Sequence, residues 1–136
     1  MTLVVDASVA IKWFVREPLH EEALRLLDDS EELHAPDLIV AEVGNVAWKK
    51  ARRGEIAKNQ AVEIGAAIRQ GSPLLYPVAL FIDRALEIAF ALDHPVYDCL
   101  YVACAEALGS SLVTADDKLY RSAKRAGFES RITLLV

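Results

Sequence analysis

Short apolar runs rich in β-branched residues alternate along this chain with longer amphipathic stretches. That alternation constrains the fold more than any single motif. Residues 2–6 form a β-branched run that stops on an acid and read as a buried strand. Residues 33–35, 74–78, 111–114 and 132–135 read as further strands. Between them lie helical patterns. Residues 7–15 make a turn or two, broken by Arg16-Glu17-Pro18, and residues 20–29 are amphipathic. Residues 37–53 open on Asp37 as N-cap and close at Gly54. Residues 58–70 end at Gly71-Ser72-Pro73, 79–92 at Asp93-His94-Pro95, 96–108 at Gly109, and 116–126 at Gly127. Strands joined through helices pair in parallel and are covered on both faces, with right-handed crossovers. The expectation is a single α/β domain over residues 1–136, a three-layer sandwich with a central parallel sheet. No linker or internal repeat divides it.

Composition excludes several alternatives. The chain is 54% hydrophobic with a mean hydropathy of +0.24, which calls for a generous core or an apolar surface kept for a partner. No uninterrupted apolar run approaches the roughly 18 residues of a membrane helix; residues 74–82 are the best candidate, and they contain Pro77. The apolar N-terminal stretch lacks a basic segment and is interrupted by Asp6 and Lys12, so neither an export signal nor a membrane anchor is expected. Cys99 and Cys104 fall about 140° apart on a helix and cannot pair. They read as reduced, buried thiols of a cytoplasmic protein. No Cys/His set suits zinc, and neither a dinucleotide glycine fingerprint nor a Walker A loop occurs. A net charge of −5 argues against coating nucleic acid by bulk charge, but leaves room for a local site.

In parallel sheets the functional crevice lies beyond the carboxyl ends of the strands, and two acids fall there. Asp6 ends the first strand and Asp116 follows the fourth. Either alone reads as the N-cap of the next helix. Glu42 is more telling, because Leu38, Ile39, Val40, Ala41, Val43 and Val46 surround it, with Asn45 and Lys49 at i+3 and i+7 extending a polar stripe. A carboxylate in such company is costly unless it is paired, metal-bound or reaches solvent. Asp98 sits similarly among Val96, Tyr97, Cys99, Leu100, Tyr101 and Val102, near a helix N-terminus that stabilises an anion. Were these carboxylates gathered, two charges 4 Å apart would repel by about 4 kcal/mol at an effective dielectric of 20. Such a cluster raises its own pKa values or binds cations. Oxygen donors without His or Cys select Mg²⁺ or Mn²⁺, and metal-assisted hydrolysis of a phosphodiester is the natural chemistry.

The segments Val-Val-Asp-Ala-Ser-Val (4–9), Pro-Asp-Leu-Ile-Val-Ala-Glu-Val-Gly-Asn-Val (36–46), Tyr-Asp-Cys-Leu-Tyr-Val-Ala-Cys-Ala-Glu (97–106) and Leu-Val-Thr-Ala-Asp (112–116) together resemble the PIN domain. Within it, they resemble the VapC-type toxins of toxin–antitoxin pairs. The ordered set spans nearly the whole chain. The resemblance implies a sheet of order 3-2-1-4-5 and a Mg²⁺-dependent endoribonuclease acting on single-stranded regions of RNA. It implies that Asp6, Glu42, Asp98 and Asp116 form a catalytic, metal-binding pocket supported by Ser8, Asn45 and Thr114. Asp6 and Asp98 would be the principal ligands. Glu42 would coordinate directly or through water, or orient the attacking water; Asp116 would bind a second metal or act through water. Ser8 and Thr114 would bond carboxylates or a substrate phosphate. Homodimerisation is also implied, as is a VapB-type antitoxin whose tail lies near the first and third helices and pushes an Arg toward the acids. Cys99 departs from the family's usual small residue, and Asp117 competes with Asp116 for the fourth acidic position.

Two basic clusters flank these motifs. Lys49, Lys50, Arg52 and Arg53 close one helix, and Lys118, Arg121, Lys124 and Arg125 lie on the last. Each reads either as a solvated helix end or as a phosphate contact. Trp13, Phe14 and Trp48 read as core residues rather than RNA stackers. Two other functions compete: an aspartate-based phosphoryl-transfer enzyme with Asp6 as nucleophile, in which Ala7-Ser8 stands where a second acid is expected, and a non-catalytic PIN-like RNA-binding scaffold. Retention of all four acids argues against the scaffold, and the charge distribution leaves a surface that can meet RNA. The four pocket acids and the acidic stretch over residues 17–32 hold more than the whole negative balance, and the remainder of the chain is net basic.

Overall fold

The computed structural model describes residues 2–29 and 32–136; Glu31 of the acidic stretch lies outside them. The strands are β1 (Thr2–Val5), β2 (Glu32–Pro36), β3 (Leu74–Tyr76), β4 (Ser111–Thr114) and β5 (Ile132–Leu134). They form one sheet in the order β3-β2-β1-β4-β5 with every neighbouring pair parallel. The expected three-layer α/β/α architecture and strand order are therefore observed.

The helices are α1 (Ala7–Ala10), α2 (His20–Asp28), α3 (Leu38–Arg52), α4 (Lys58–Gln70), α5 (Ile82–Leu92), α6 (Val96–Ala107) and α7 (Asp117–Arg125). A 3₁₀ turn over Ile11–Trp13 prolongs α1. Helix α6 runs against β1, β2 and β4. Its stretch from Cys99 to Ala105 is buried, so α6 is apolar all round. Helices α3 and α4 pack as an antiparallel pair, and α5 packs on α6. The core joins Val4 and Val5 of β1 to Ile39 and Val43 of α3, Ile88 of α5, Tyr101 and Val102 of α6, and Leu112 and Leu119. Both cysteines are free and buried, as expected. Burial raises the Cys99 thiol to about 11 and Cys104 to about 12, which keeps both protonated and inert.

Two boundaries differ from the sequence reading for local reasons. Strand β3 stops at Tyr76 because Pro77 offers no ladder donor, and a 3₁₀ turn over Val78–Leu80 precedes α5. Asp37 does precede α3, but its side chain makes no cap. Instead its Oδ1 accepts the Val78 N–H at 3.1 Å, tying the start of α3 to the end of β3.

Candidate functional site

Sheet topology creates the site. From the central strand β1, the sheet extends one way through β2 and the other through β4, so β1 and β4 border the point where the strand order switches. Their register pairs Val5 with Val113, and the next residues, Asp6 and Thr114, meet at the carboxyl edge.

Asp6 is 5% exposed, yet its carboxylate is well supplied with donors. Its Oδ1 accepts from Ser8 Oγ at 2.5 Å and, as N-cap of α1, from the Val9 N–H at 3.3 Å. Its Oδ2 accepts from Thr114 Oγ1 at 2.5 Å. Ser8 and Thr114 are themselves fixed from the β4–α7 loop. The Ala115 N–H donates to Ser8 Oγ at 2.9 Å, and the Asp116 N–H donates to Thr114 Oγ1 at 3.1 Å. Burial is still the larger effect and raises the Asp6 pKa to about 6; the three hydrogen bonds oppose this, and the charge of Asp98 adds to it.

Glu42 reaches the same place from α3. Its pKa is raised by partial burial and by Asp98, against the Tyr101 hydroxyl, which donates to Oε1 at 2.5 Å. Asp98, in the first turn of α6, meets His94 Nε2 at 2.6 Å through its Oδ2. That contact exists because Asp93 takes a left-handed conformation (φ 51°) to end α5, and the chain turns through His94 and Pro95 into α6. Asp116 caps α7 through Oδ1 to the Leu119 N–H at 3.1 Å.

Asp6, Ser8, Glu42, Asn45, Asp98 and Asp116 wall one cavity of about 260 Å³, with Ala7 and Val46 completing it. All four sequence-predicted acids therefore converge, with Ser8 and Asn45 in the wall and Thr114 beneath Asp6. Between the two adjacent acids, Asp116 faces the cavity, while Asp117 is exposed and pairs with Arg121 at 2.9 Å. Sequence reading missed Tyr101 and His94 as partners of the acids. Tyr101 looked like core, and it is fully buried, with its hydroxyl spent on Glu42. The i, i+4 spacing of His94 and Asp98 was the available signal.

The donor set suits a hard divalent cation. It consists of carboxylate oxygens, and the mutual effect of Asp98 on Asp6 and Glu42 is a repulsion that a cation relieves. Among the described residues, no three His, Cys, Asp or Glu side chains are gathered closely enough to hold a metal ion between them. An ion here would be held by few carboxylates with water completing its shell, which is how Mg²⁺ binds.

The basic residues divide. Lys49, Arg52 and Arg53 line a separate surface hollow with Trp48. Lys50 turns away to Glu17 at 3.6 Å and Glu55 at 3.8 Å. Lys118, Arg121, Lys124 and Arg125 wall a cavity of about 440 Å³ along α7. Trp13 is buried and donates its indole N–H to the Ala23 carbonyl, but Trp48 is 55% exposed, which corrects the expectation that it belongs to the core. It lies on the outer face of α3, where no element covers it. Among the described residues, no helix is long and apolar enough to cross a membrane.

Comparison with known proteins agrees with this fold. The family model described as PIN domain matches residues 3–125. Ribonuclease VapC3 of Pyrobaculum aerophilum is 36% identical over 121 residues, covering 88% of this chain and 92% of that protein. The crystal structure of Mycobacterium tuberculosis VapC20, titled a sarcin–ricin loop cleaving toxin, superposes with a TM-score of 0.70 at 20% identity, covering 95% of this chain and 98% of that one. A toxin–antitoxin complex from Klebsiella pneumoniae gives 0.68 at 15% identity, covering 96% and 95%.

Proposed function

We propose that this chain, which belongs to the PIN domain family, is a divalent-metal-dependent endoribonuclease that cuts single-stranded regions of RNA and acts as the toxin of a toxin–antitoxin pair. The observation that carries this reading is the convergence of Asp6, Glu42, Asp98 and Asp116 on one cavity at the carboxyl edge of the sheet. The name of the Pyrobaculum relative gives the same direction for the substrate.

In this reading each acid has a distinct support. Ser8, Thr114 and the Val9 N–H hold both oxygens of Asp6 in place and leave an acceptor site on Oδ2 for a ligand. Tyr101 favours the ionised form of Glu42 against its burial and fixes one of its oxygens, suiting it to orient a water or accept its proton. His94 fixes one oxygen of Asp98 and frees the other. Asp116 has one oxygen committed to α7 and one free. A bound Mg²⁺ or Mn²⁺, held chiefly by Asp6 and Asp98, would supply Lewis acidity and offset the repulsion between an acidic pocket and a polyanionic strand. The donors on both oxygens of Asp6 disfavour the competing role of in-line nucleophile.

The proposed partners are RNA, a VapB-type antitoxin and a second copy of the chain. A cavity of about 340 Å³ of mixed character, lined by Phe14, Val15 and Ile56 with Arg16, Lys50, Glu55 and Gln60, is the candidate seat for the antitoxin tail, between the first helical segment and α3–α4. Exposed Leu86 and Phe90, one turn apart on α5, give an apolar face elsewhere.

The test compares wild type with Asp98→Asn on RNA in Mg²⁺ and in EDTA, beside a growth assay on expression of wild type and Asp6→Asn in a bacterial host. Cleavage that needs both the metal and Asp98 supports the proposal. Full cleavage in EDTA sinks the metal mechanism, and an inert wild type sinks the enzyme.

A further inference from the structure

Trp48 is the chain's exposed tryptophan, at 55% against 8% for Trp13. The Arg52 guanidinium sits over its ring, 5.4 Å from the centroid. Together with Lys49 and Arg53 these residues wall a surface hollow of about 340 Å³. Arg53 lies 3.8 Å from Glu55; Lys49 and Arg52 carry no ion pair among the described residues. An apolar partner would be met by aliphatic side chains. An aromatic face ringed by cations instead suits a polyanion that carries flat π-systems, which is a single-stranded nucleic acid.

The position of the hollow links it to the acids. Asn45, Trp48, Lys49 and Arg52 follow the i, i+3, i+4, i+7 spacing of one face of α3, and Asn45 already lines the acidic cavity. From Glu42 to Trp48 the helix rises by roughly 9 Å. A strand with a phosphate at the acids is therefore led along α3 from a negative pocket onto a positive, aromatic surface.

We propose that Trp48, covered by Arg52, is a base-stacking subsite that grips a nucleobase of the RNA strand flanking the cleaved phosphate, with Lys49 meeting an adjacent phosphate. The subsite rests on the ribonuclease reading and adds a determinant of how the strand is placed. Every base has a π-face, so the subsite fixes position more than it selects sequence.

The full-length protein is assayed as wild type, Trp48→Phe and Trp48→Ala on single-stranded oligoribonucleotides in Mg²⁺, including a series with one abasic nucleotide moved along the strand. Trp48→Ala raises KM on the order of ten-fold with kcat unchanged, because the lost contact lies away from the reacting atoms. Trp48→Phe recovers most of the loss. One abasic position weakens the wild type but not Trp48→Ala. Separately, oligoribonucleotide quenches the tryptophan fluorescence of Asp98→Asn but not of the doubly substituted Asp98→Asn, Trp48→Phe protein, whose Trp13 is buried. Equal KM in wild type and Trp48→Ala, or no quenching, overturns the subsite while wild-type cleavage still supports the enzyme. Equal KM together with lost binding of a protein partner also overturns it, and gives the ring to a protein interface. A wild type that cleaves nothing removes the ribonuclease reading, and the quenching then decides whether Trp48 stacks on RNA.

Discussion

Tyr101 is wholly buried in α6, and its hydroxyl donates to Glu42 Oε1, a wall of the cavity, at 2.5 Å. Burial and the neighbouring acids hold the phenol well above its ordinary pKa, so it remains a donor throughout the working pH range. The bond opposes the burial that raises Glu42. Tyr101→Phe keeps the packing and removes the donor, so Glu42 binds its proton more tightly. The expected result is a folded protein whose acid limb of the pH–activity profile moves to higher pH, with activity at neutral pH down several-fold. An unmoved acid limb would show that Glu42 does not need to be ionised.

Asp6 predicts an opposition between stability and function. Its pKa is raised to about 6 in the fold from an ordinary 3.8. Between those values the native state holds more protons than the unfolded chain, so stability falls as pH rises through the window. Above pH 6 the whole penalty is present, at most about 3 kcal/mol. Asp6→Asn removes it. In EDTA at pH 7 the variant should melt a few degrees above wild type, with the advantage fading toward pH 4, while cleavage is lost. A variant that melts well below wild type at both pH values would show that the hydrogen bonds of Asp6 outweigh its buried charge.

The sequence made some of this legible and hid the rest, for physical reasons. Short apolar, β-branched runs with an acid at or just beyond their ends located β1 and β4, and parallel pairing then placed Asp6 and Asp116 at one edge. Glu42 stood out because a carboxylate interrupts an apolar helix. Tyr101 and His94 did not stand out, because their importance lies in one atom each, aimed by the packing of α6 on α3 and by the left-handed turn at Asp93. Trp48 was misjudged because hydrophobicity predicts burial only where another element covers the face. Lys50 was grouped with Lys49 by adjacency, although neighbours on a helix point about 100° apart.

His94 predicts a metal-affinity effect separable from catalysis. Its Nε2 contacts one oxygen of Asp98 and so sets the direction of the other. Partners of this kind are typically worth 10- to 100-fold in metal affinity. Mg²⁺ raises the melting temperature of wild type in proportion to the logarithm of its concentration over Kd. The same titration on His94→Ala should need a 10- to 100-fold higher concentration, and His94→Gln, which keeps a nitrogen near the Nε2 position, should fall between. Identical titrations in all three would leave His94 a purely structural residue.

Lys49 and Lys50 provide the sharpest test of which cations meet RNA. Lys49 lies in the Trp48 hollow, whereas Lys50 is held 3.6 Å from Glu17 and 3.8 Å from Glu55, with Lys12 bonded to the other Glu17 oxygen at 3.1 Å. Each phosphate contact to a single strand adds about 0.7 to the slope of log affinity against log salt. Lys49→Glu should lower that slope by about one such contact and weaken binding at low salt. Lys50→Glu should leave the slope unchanged and destabilise the fold, because it sets three carboxylates together beside a half-buried Glu17. If the two effects are reversed, the strand runs past Glu17 and not along the Trp48 face of α3.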